Sequence, residues 1–599
     1  MSERSSRVVS AEDGEYALGD TLVSRKSFAP RRIVVTGLTL GTILGTTTLL
    51  IAILLHGKFS FTAVVAVAAF LVNITWVALG FWNAAIGFFL LRGSSKPSIR
   101  LWPGIDQSES GPLRARVAVV MTVHDDGAEG VFARIKSIRK SLDKTSSGQS
   151  FDYFILSDSS LPETIEAEER ALDLWQAEDP LVSRRVIYRR RPTNWDFKQG
   201  NVRDFCARWG ENYELMVLLD ADSIMSGETI VRLVRIMENN PQLGILQSLI
   251  VGVLCPSLFA RLFEYGHRHA LRCSIAGSAW WQGDRCQYWG HNAVIRMSPF
   301  VRYCEMPYLP GKGPFSGHIF CHDQIEASFM HRAGYEARVL PEESCSYEGV
   351  PPTLRDFNRR NNRWCQGNLK NLRVIPASGL SMIDRFQLMV VAQRFLSHPA
   401  LIVFLISATV LAVSWPVGKV FPASMAISLY AIWMVMFFSP KVFGIADAIL
   451  KSPANYGGVP RLLGGMCCEF LYSLLLTPVS SFATTLFIMG IPLKRRFKWD
   501  TNRRNAYAVS WRTALRENFL QTLVGICILI SLVSANVAAI PWFVPLILGL
   551  ICAIPFAVVT SLPSANKLAQ QLSICTFPEE ISIPPEIRDV IEYAAKHSA

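Results

Sequence analysis

The sequence predicts an α/β domain inserted into a polytopic, α-helical membrane domain. Apolar residues make up 50% of the 599 positions and are bunched into long runs near the two ends of the chain. Runs of about 20 apolar residues span a bilayer core. Residues 92–385 contain no such run; short apolar strands there alternate with amphipathic helices, the pattern of an α/β domain.

Residues 1–32 form a polar segment holding Arg25, Lys26, Arg31 and Arg32, and no small-residue cleavage site follows the first apolar run. The run therefore reads as a retained anchor, not a signal peptide. Runs 33–55 and 61–91 are separated only by residues 56–60, so they form a transmembrane hairpin. Arg and Lys flank its outer ends and only Lys58 sits at its tip, which puts both ends, and residues 92–385, in the cytosol.

Within 92–385 the strand candidates are 116–123, 153–157, 185–188, 215–219 and 244–248, with helices at 162–177 and 228–239. Several strands end in Asp, His or Ser, at the sheet edge where open α/β folds bind ligands. Beyond Pro399 apolar runs resume at 401–415, 425–438, 470–491, 520–539 and 543–562. One crossing by the run containing Thr477 and Pro478 would put the cations around Arg495 outside, against the charge rule. A re-entrant, interfacial or doubly crossing segment keeps them inside, so an even total of six to eight spans is expected. The region 386–565 thus holds transmembrane and interfacial helices with a cytosolic basic loop near 494–515, and 566–599 is a cytosolic tail.

Lys and Arg exceed Asp and Glu by 60 to 48, a net charge of +12. The excess lies beside apolar runs, as at Lys494, Arg495, Arg496, Lys498, Arg503 and Arg504, which suits lipid headgroups; no nucleic-acid module is present. The 13 cysteines lack metal-ligand spacing and read as reduced. The loop 310–317 is glycine-rich without the ending of a nucleotide P-loop, and is read as flexible only.

The chemistry concentrates in a few segments. The apolar strand 215–219 runs into Asp220 and Asp222, whose oxygens would suit Mg²⁺ or Mn²⁺ beside a leaving diphosphate, or would simply solvate a turn. Asp158 ends another strand, placed to bond a base or ribose. Lys198, next to Gly200 and Asn201, offers a cation for a diphosphate or begins a solvated helix. A helix begins near Asp323 and ends at Gly334; its Asp323–Glu326 spacing resembles a capping box, and Asp323 is alternatively a general base. The helix dipole argues against a raised pKa there. Arg360, Arg363 and Trp364 share a basic helical stretch that either meets lipid or offers a ring on which a sugar stacks. Trp289, His291 and Asn292 precede an apolar strand and would floor an acceptor site or pack.

The order of these signals, a DxD, a later Asp at a helix start, then RxxRW just before membrane helices, resembles the processive family 2 glycosyltransferases, the group of cellulose, chitin and hyaluronan synthases. LSDSS at 156–160, VLLDADSIMSG at 217–227, YWGHNAVIR at 288–296, HDQIEA at 322–327, SYEGVPPTL at 346–354 and RWCQGNLKN at 363–371 are similar to the branch that makes osmoregulated periplasmic glucans. The resemblance implies a GT-A (Rossmann-like) fold, UDP-glucose as donor, a growing glucan as acceptor, Mg²⁺, and inversion by direct displacement. It implies that Asp158 contacts uridine, Lys198 the diphosphate, and Asp220 and Asp222 the diphosphate and metal. Asp323 would deprotonate the acceptor, while Arg360, Arg363 and Trp364 hold diphosphate and acceptor sugar. The first motif position, Gln in many synthases, is Arg360, and His322 precedes the base where an acid is usual. The family also implies an acyl carrier protein partner, a periplasmic product, and a gating loop over the donor site near 494–504. Competing readings are a synthase for another sugar and a nucleotide-sugar-sensing membrane scaffold.

Overall fold

The computed structural model describes residues 28–57, 60–92, 101–102, 105, 111–492, 507–535 and 540–597. Most of the N-terminal segment and the basic run 494–504 lie outside the described residues.

The described chain opens on two apolar helices, α1 (Ala29–Leu55) and α2 (Phe61–Arg92). The α/β domain follows as β1 (Val117–Val123), α3 (Ala128–Asp143), β2 (Phe151–Ser157), α4 (Pro162–Glu178), β3 (Val186–Arg190), α5 (Phe197–Trp209), β4 (Leu215–Asp220), β5 (Ile224–Met225), α6 (Gly227–Asn239), β6 (Leu243–Val253), α7 (Leu258–Gln282), β7 (Ala293–Arg296), α8 (Asp323–Arg332), β8 (Glu336–Gly349) and α9 (Leu354–Asn371). The eight strands form one sheet in the order β3-β2-β1-β4-β7-β6-β8-β5.

Strand β1 is buried on both faces, and its side chains alternate between two cores. Val117, Val119 and Met121 pack with Val131, Phe132 and Ile135 of α3, while Ala118 and Val120 pack with Phe205 of α5. This is the two-sided burial of a parallel strand between helical layers. Each fully buried Phe or Val contributes about 1.5–3 kcal/mol of apolar transfer. Strand β6 runs to Val253, past the expected end at Ser248, because 249–253 (LIVGV) stays apolar and pairs with β8. Strand β8, interrupted by Pro341 and several acids, has no simple alternation and was not among the sequence candidates.

The register gathers the functional segments on one edge. Thr122 lies opposite Asp220, and Val123 opposite Ser157. Strand β7 is antiparallel to β4, with Ala293 opposite Leu218, so residues 290–292 enter where Asp220 leaves. Gly252 lies opposite Glu348, which brings the end of β8 to the same edge.

Among the remaining elements are α10 (Met382–Val413), α11 (Ala423–Lys451), α12 (Val459–Gly490), α13 (Trp511–Ser534), α14 (Ile540–Ile551), α15 (Ala553–Ser561) and the C-terminal α16 (Pro585–His597). Among the described residues six helices, α12 included, are long and apolar enough to cross a membrane, and α14 with α15 forms a further pair bent by 58°. Helix α10 starts at Met382, well before the apolar run expected at 401, and Pro399 lies inside it. Its first turns are polar because they pack on the α/β domain: Asp384 lies 2.7 Å from His331 and 3.0 Å from Arg285.

Most of these helices touch the α/β domain at one end only. Arg32 at the start of α1 pairs with Asp284 at 3.2 Å, and Asn83 in the last turns of α2 accepts from Trp281 at 2.9 Å. Asp447 near the end of α11 meets Arg272, Glu517 near the start of α13 meets Arg355, and Phe556 of α15 packs near Phe259. Helix α12 differs. Tyr265 of α7 donates to its Leu462 carbonyl at 2.9 Å, and Asn361 of α9 donates to its Thr484 at 2.9 Å. Thirty-two residues extend about 48 Å, so α12 lies along the α/β domain with both ends on it. Helix α16 returns to the same domain, where Ser141 of α3 donates to Glu586 at 2.6 Å.

Candidate active site

Asp220 closes β4, and its backbone N–H donates to Ser223 Oγ at 3.0 Å. The turn is thus satisfied by a serine hydroxyl. The Asp220 carboxylate instead pairs with Lys198 from the first turn of α5. The same ammonium donates to the Gly290 carbonyl at 2.7 Å.

Gly290 has φ +91°, in the region that favours glycine, and a Cβ there would stand 3.4 Å from Asp323 Cβ and 4.0 Å from Lys198 Nζ. Asp220, Lys198, Gly290 and Asp323 therefore follow one another in space. The expected capping box at Asp323 does not form: His322 is the N-cap residue, without a side-chain cap, and Asp323 is the first helical residue. Glu326 pairs with His322 at 3.0 Å. Burial raises the Asp323 carboxyl above its ordinary value; the His322 charge opposes the rise and Glu326 adds to it. That corrects the expectation drawn from the helix dipole, which desolvation outweighs here.

Asp222 lies on the other side of this turn, its Oδ2 3.1 Å from where a Gly349 Cβ would be. Glu348, next to Gly349, sits 3.4 Å from His291 Nε2. Burial alone would lower the His291 imidazole, but Asp220 and the Glu348 hydrogen bond raise it to about 9. Glu348 is correspondingly lowered: burial pushes it up, and the bond to His291 and its charge prevail. The charges of Glu348 and Asp222 also act on Arg360 of α9, whose guanidinium lies 4.8 Å from the Trp364 ring centroid. Arg363, on the same face, acts electrostatically on Cys321, two residues before Asp323. Trp364 packs among Cys365, Leu369, Phe487 and Ile491, between α9 and the end of α12.

Asn292 is a correction to the acceptor reading. It is fully buried, and its amide donates to Ser346 Oγ at 2.9 Å and the Tyr347 carbonyl at 3.1 Å. It ties β7 to β8 and does not face the cleft. Trp289 stays half-buried, its backbone N–H donating to Gln247 Oε1 at 3.1 Å. Asp158 is buried and gripped by Arg191 through two bonds of 2.7 Å. The loop 310–317, expected to be flexible only, is closed by the Leu309–Gly317 bridge and held by Arg373, which donates to Pro310 at 2.8 Å.

Sequence reasoning passed over Arg191 and Glu348. Both had a signal, since Arg191 follows a strand end in a basic run and Glu348 lies in the SYEGVPP segment, but neither spacing announced a partner.

A glycosyl transferase family 2 model matches residues 118–303, and a glycosyl transferase family group 2 model matches residues 215–440. Both matches are to glycosyl transferase family 2 models, and together they run over residues 118–440. It is 34% identical over 543 residues to glucans biosynthesis glucosyltransferase H of Pseudomonas aeruginosa, covering 88% of this chain and 63% of that protein. The protein of the same description from Pectobacterium atrosepticum is 33% identical over 542 residues, again 88% and 63%. The chain thus spans less than two thirds of the length of these relatives. Among solved structures, a mannosyltransferase from Pyrobaculum calidifontis, in complex with GDP-Man and Mn²⁺, aligns with TM-score 0.41 and 15% identity, over 65% of this chain and 98% of its own. The sheet and the matched models agree with the expected GT-A architecture, carried on a membrane domain.

Proposed function

We propose that this chain is a family 2 glycosyltransferase that transfers glucose from UDP-glucose to a growing β-glucan at the cytosolic face of the bacterial inner membrane, with inversion, and exports the product through its own helices. The observation that carries the reading is the contiguous line from Asp220 through Lys198 and Gly290 to Asp323. It sets a carboxylate–ammonium pair for a diphosphate beside a half-buried carboxylate with a raised pKa.

In this reading Asp323 accepts the proton of the attacking hydroxyl as it displaces the diphosphate from the opposite face of the sugar. Lys198, His291 and Arg360 supply positive charge to the leaving group, and Arg363 supports them. Asp158, held by Arg191, faces the uridine end. Trp364, with Trp289, gives the acceptor sugar a flat wall.

The donor set fits a hard divalent cation: Asp220 and Asp222 provide carboxylate oxygens. No group of three or more His, Cys, Asp or Glu among the described residues forms a complete cage. Mg²⁺ is commonly held by one or two carboxylates plus substrate phosphates. Bound by Asp222 and Asp220, Mg²⁺ or Mn²⁺ would neutralise the leaving diphosphate.

The contacts also support a topology. Six crossings are made by α1, α2, α10, α11, α13 and the bent pair α14–α15, while α12 lies on the cytosolic surface. An even number keeps the α/β domain and both described ends of the chain on one side, as the flanking charges require.

The test uses the full chain reconstituted in lipid, with labelled UDP-glucose and UDP-N-acetylglucosamine offered in parallel. Polymer forms from UDP-glucose, and Asp323→Asn abolishes it while UDP binding persists. Undiminished polymer from that variant removes Asp323 from the mechanism, and incorporation of N-acetylglucosamine alone replaces the donor.

A further inference from the structure

Trp195 is the one exposed tryptophan of the α/β domain among the described residues, 55% accessible, and Tyr308 nearby is 64% accessible. Large rings on a domain surface lose apolar burial that the fold would otherwise use, and such patches mark binding surfaces. These two are organised. The His318 ring stands edge-on to both, 5.4 Å from Trp195 and 5.1 Å from Tyr308 between centroids. Its Nδ1 lies 2.8 Å from Asp196.

The supporting backbone is held on both sides. Arg191 donates to the Trp195 carbonyl at 3.0 Å, and Asp196 and Phe197 both adopt positive φ, +57° and +52°. Two consecutive non-glycine residues in this region need firm surroundings, and such backbone clusters at ligand clamps. Opposite, Lys370 of α9 donates to the His318 carbonyl, and Arg373 donates to Pro310. The rings are thus presented from rigid loops; Trp195 is three residues from Lys198 in sequence, and neither ring is a member of the Asp220–Lys198–Gly290–Asp323 line.

We propose that Trp195, Tyr308 and the His318–Asp196 pair form a second carbohydrate subsite on the cytosolic face, which takes glucopyranose units of a soluble oligosaccharide. A pyranose with equatorial hydroxyls has two C–H faces and a hydroxyl rim. The faces fit the indole and phenol rings, and the rim fits the carboxylate and imidazole set between them. Two rings separated by an imidazole match successive units of a sugar chain; a single planar base needs only one. Trp and Tyr give this contact at small entropy cost, having two rotatable side-chain bonds each. The choice of ligand rests on the sugar-transfer reading above.

The test is calorimetric titration of the full chain in lipid nanodiscs with a water-soluble β-gluco-oligosaccharide in the absence of nucleotide, with UDP titrated separately. Trp195→Ala and Tyr308→Ala each weaken oligosaccharide binding by at least about tenfold, Trp195→Phe restores most of it, and UDP affinity and Tm hold. Unchanged oligosaccharide affinity in both alanine variants overturns the subsite. So does a wild-type chain that binds no oligosaccharide, or a loss of UDP affinity instead, which would make the rings a nucleobase platform. UDP release from UDP-glucose is read in parallel: oligosaccharide binding without UDP release supports the subsite and sinks the transfer reading alone.

Discussion

Gly290 stands against Asp323, close enough that a Cβ on the glycine would lie 3.4 Å from the aspartate Cβ. The contact brings a strand-entry loop to the first turn of α8 and keeps the Asp323 carboxyl in a site that raises its pKa by burial.

The first prediction concerns the acid side of the pH profile. A base works only when ionised, so a raised pKa means protonation, and loss of activity, sets in at higher pH than for a free aspartate. kcat/KM for polymer formation falls as pH is lowered through a midpoint higher than that of a free aspartate. Glu326→Gln removes a nearby negative charge and moves that midpoint down. A midpoint that stays put in that variant excludes Glu326 as a cause.

On the alkaline side the relevant group is His291. Its proton is kept up to about pH 9 by Asp220 and Glu348, so activity that needs the cation declines as pH rises through that value. Glu348→Gln withdraws one supporting charge and shifts the decline to lower pH. An identical alkaline limb in the variant would falsify the role of this pair.

For the metal, Asp222→Ala is expected to abolish both turnover and its dependence on Mg²⁺. Isothermal titration with Mg²⁺ and UDP together reports binding apart from activity, and the variant should lose the metal-dependent part of UDP affinity. Intact Mg²⁺-dependent turnover defeats the assignment.

Helix α9 approaches the segment before Asp323 through Gly367. A Cβ there would stand 2.4 Å from Cys321 Sγ and 3.1 Å from Cys321 Cβ. Gly367→Ala should cost about 1–3 kcal/mol by overpacking and lower both Tm and kcat. Adding Cys321→Ala returns room, so the double variant recovers most of the loss in a double-mutant cycle. Additive losses would show the two positions to be uncoupled.

The topology is tested at the basic run. Ile491 packs with Leu369 of α9, and Tyr507 donates to Asp356 of the same helix at 2.8 Å. Both flanks of 493–506 therefore sit on the α/β domain, and a reporter fused after Arg504 should read cytosolic. A periplasmic signal overturns the interfacial placement of α12.

Much of the fold was legible because its signals are local. Bilayer-length apolar runs, strands ending in Asp158 and Asp220, and basic flanks depend only on neighbouring residues. Less local features were missed. Strand β8 breaks its alternation with Pro341 and acids, since its partners lie on β6 and β5. The polar first turns of α10 conceal a helix start that the α/β domain covers. At Asp323 a sequence spacing pointed to a capping box, while the structure gives that turn to the His322–Glu326 pair.

By itself the sequence determined the architecture and the residue types gathered in the site motifs, because composition, periodicity and motif order are properties of the chain alone. Only the tertiary structure decided which of those residues meet: Lys198 with Asp220, Glu348 with His291, Arg191 with Asp158, and Asn292 with the backbone of β8 instead of the cleft. The physical reason is that charge pairing and desolvation depend on distances across the sheet edge, and those are set by strand order and register.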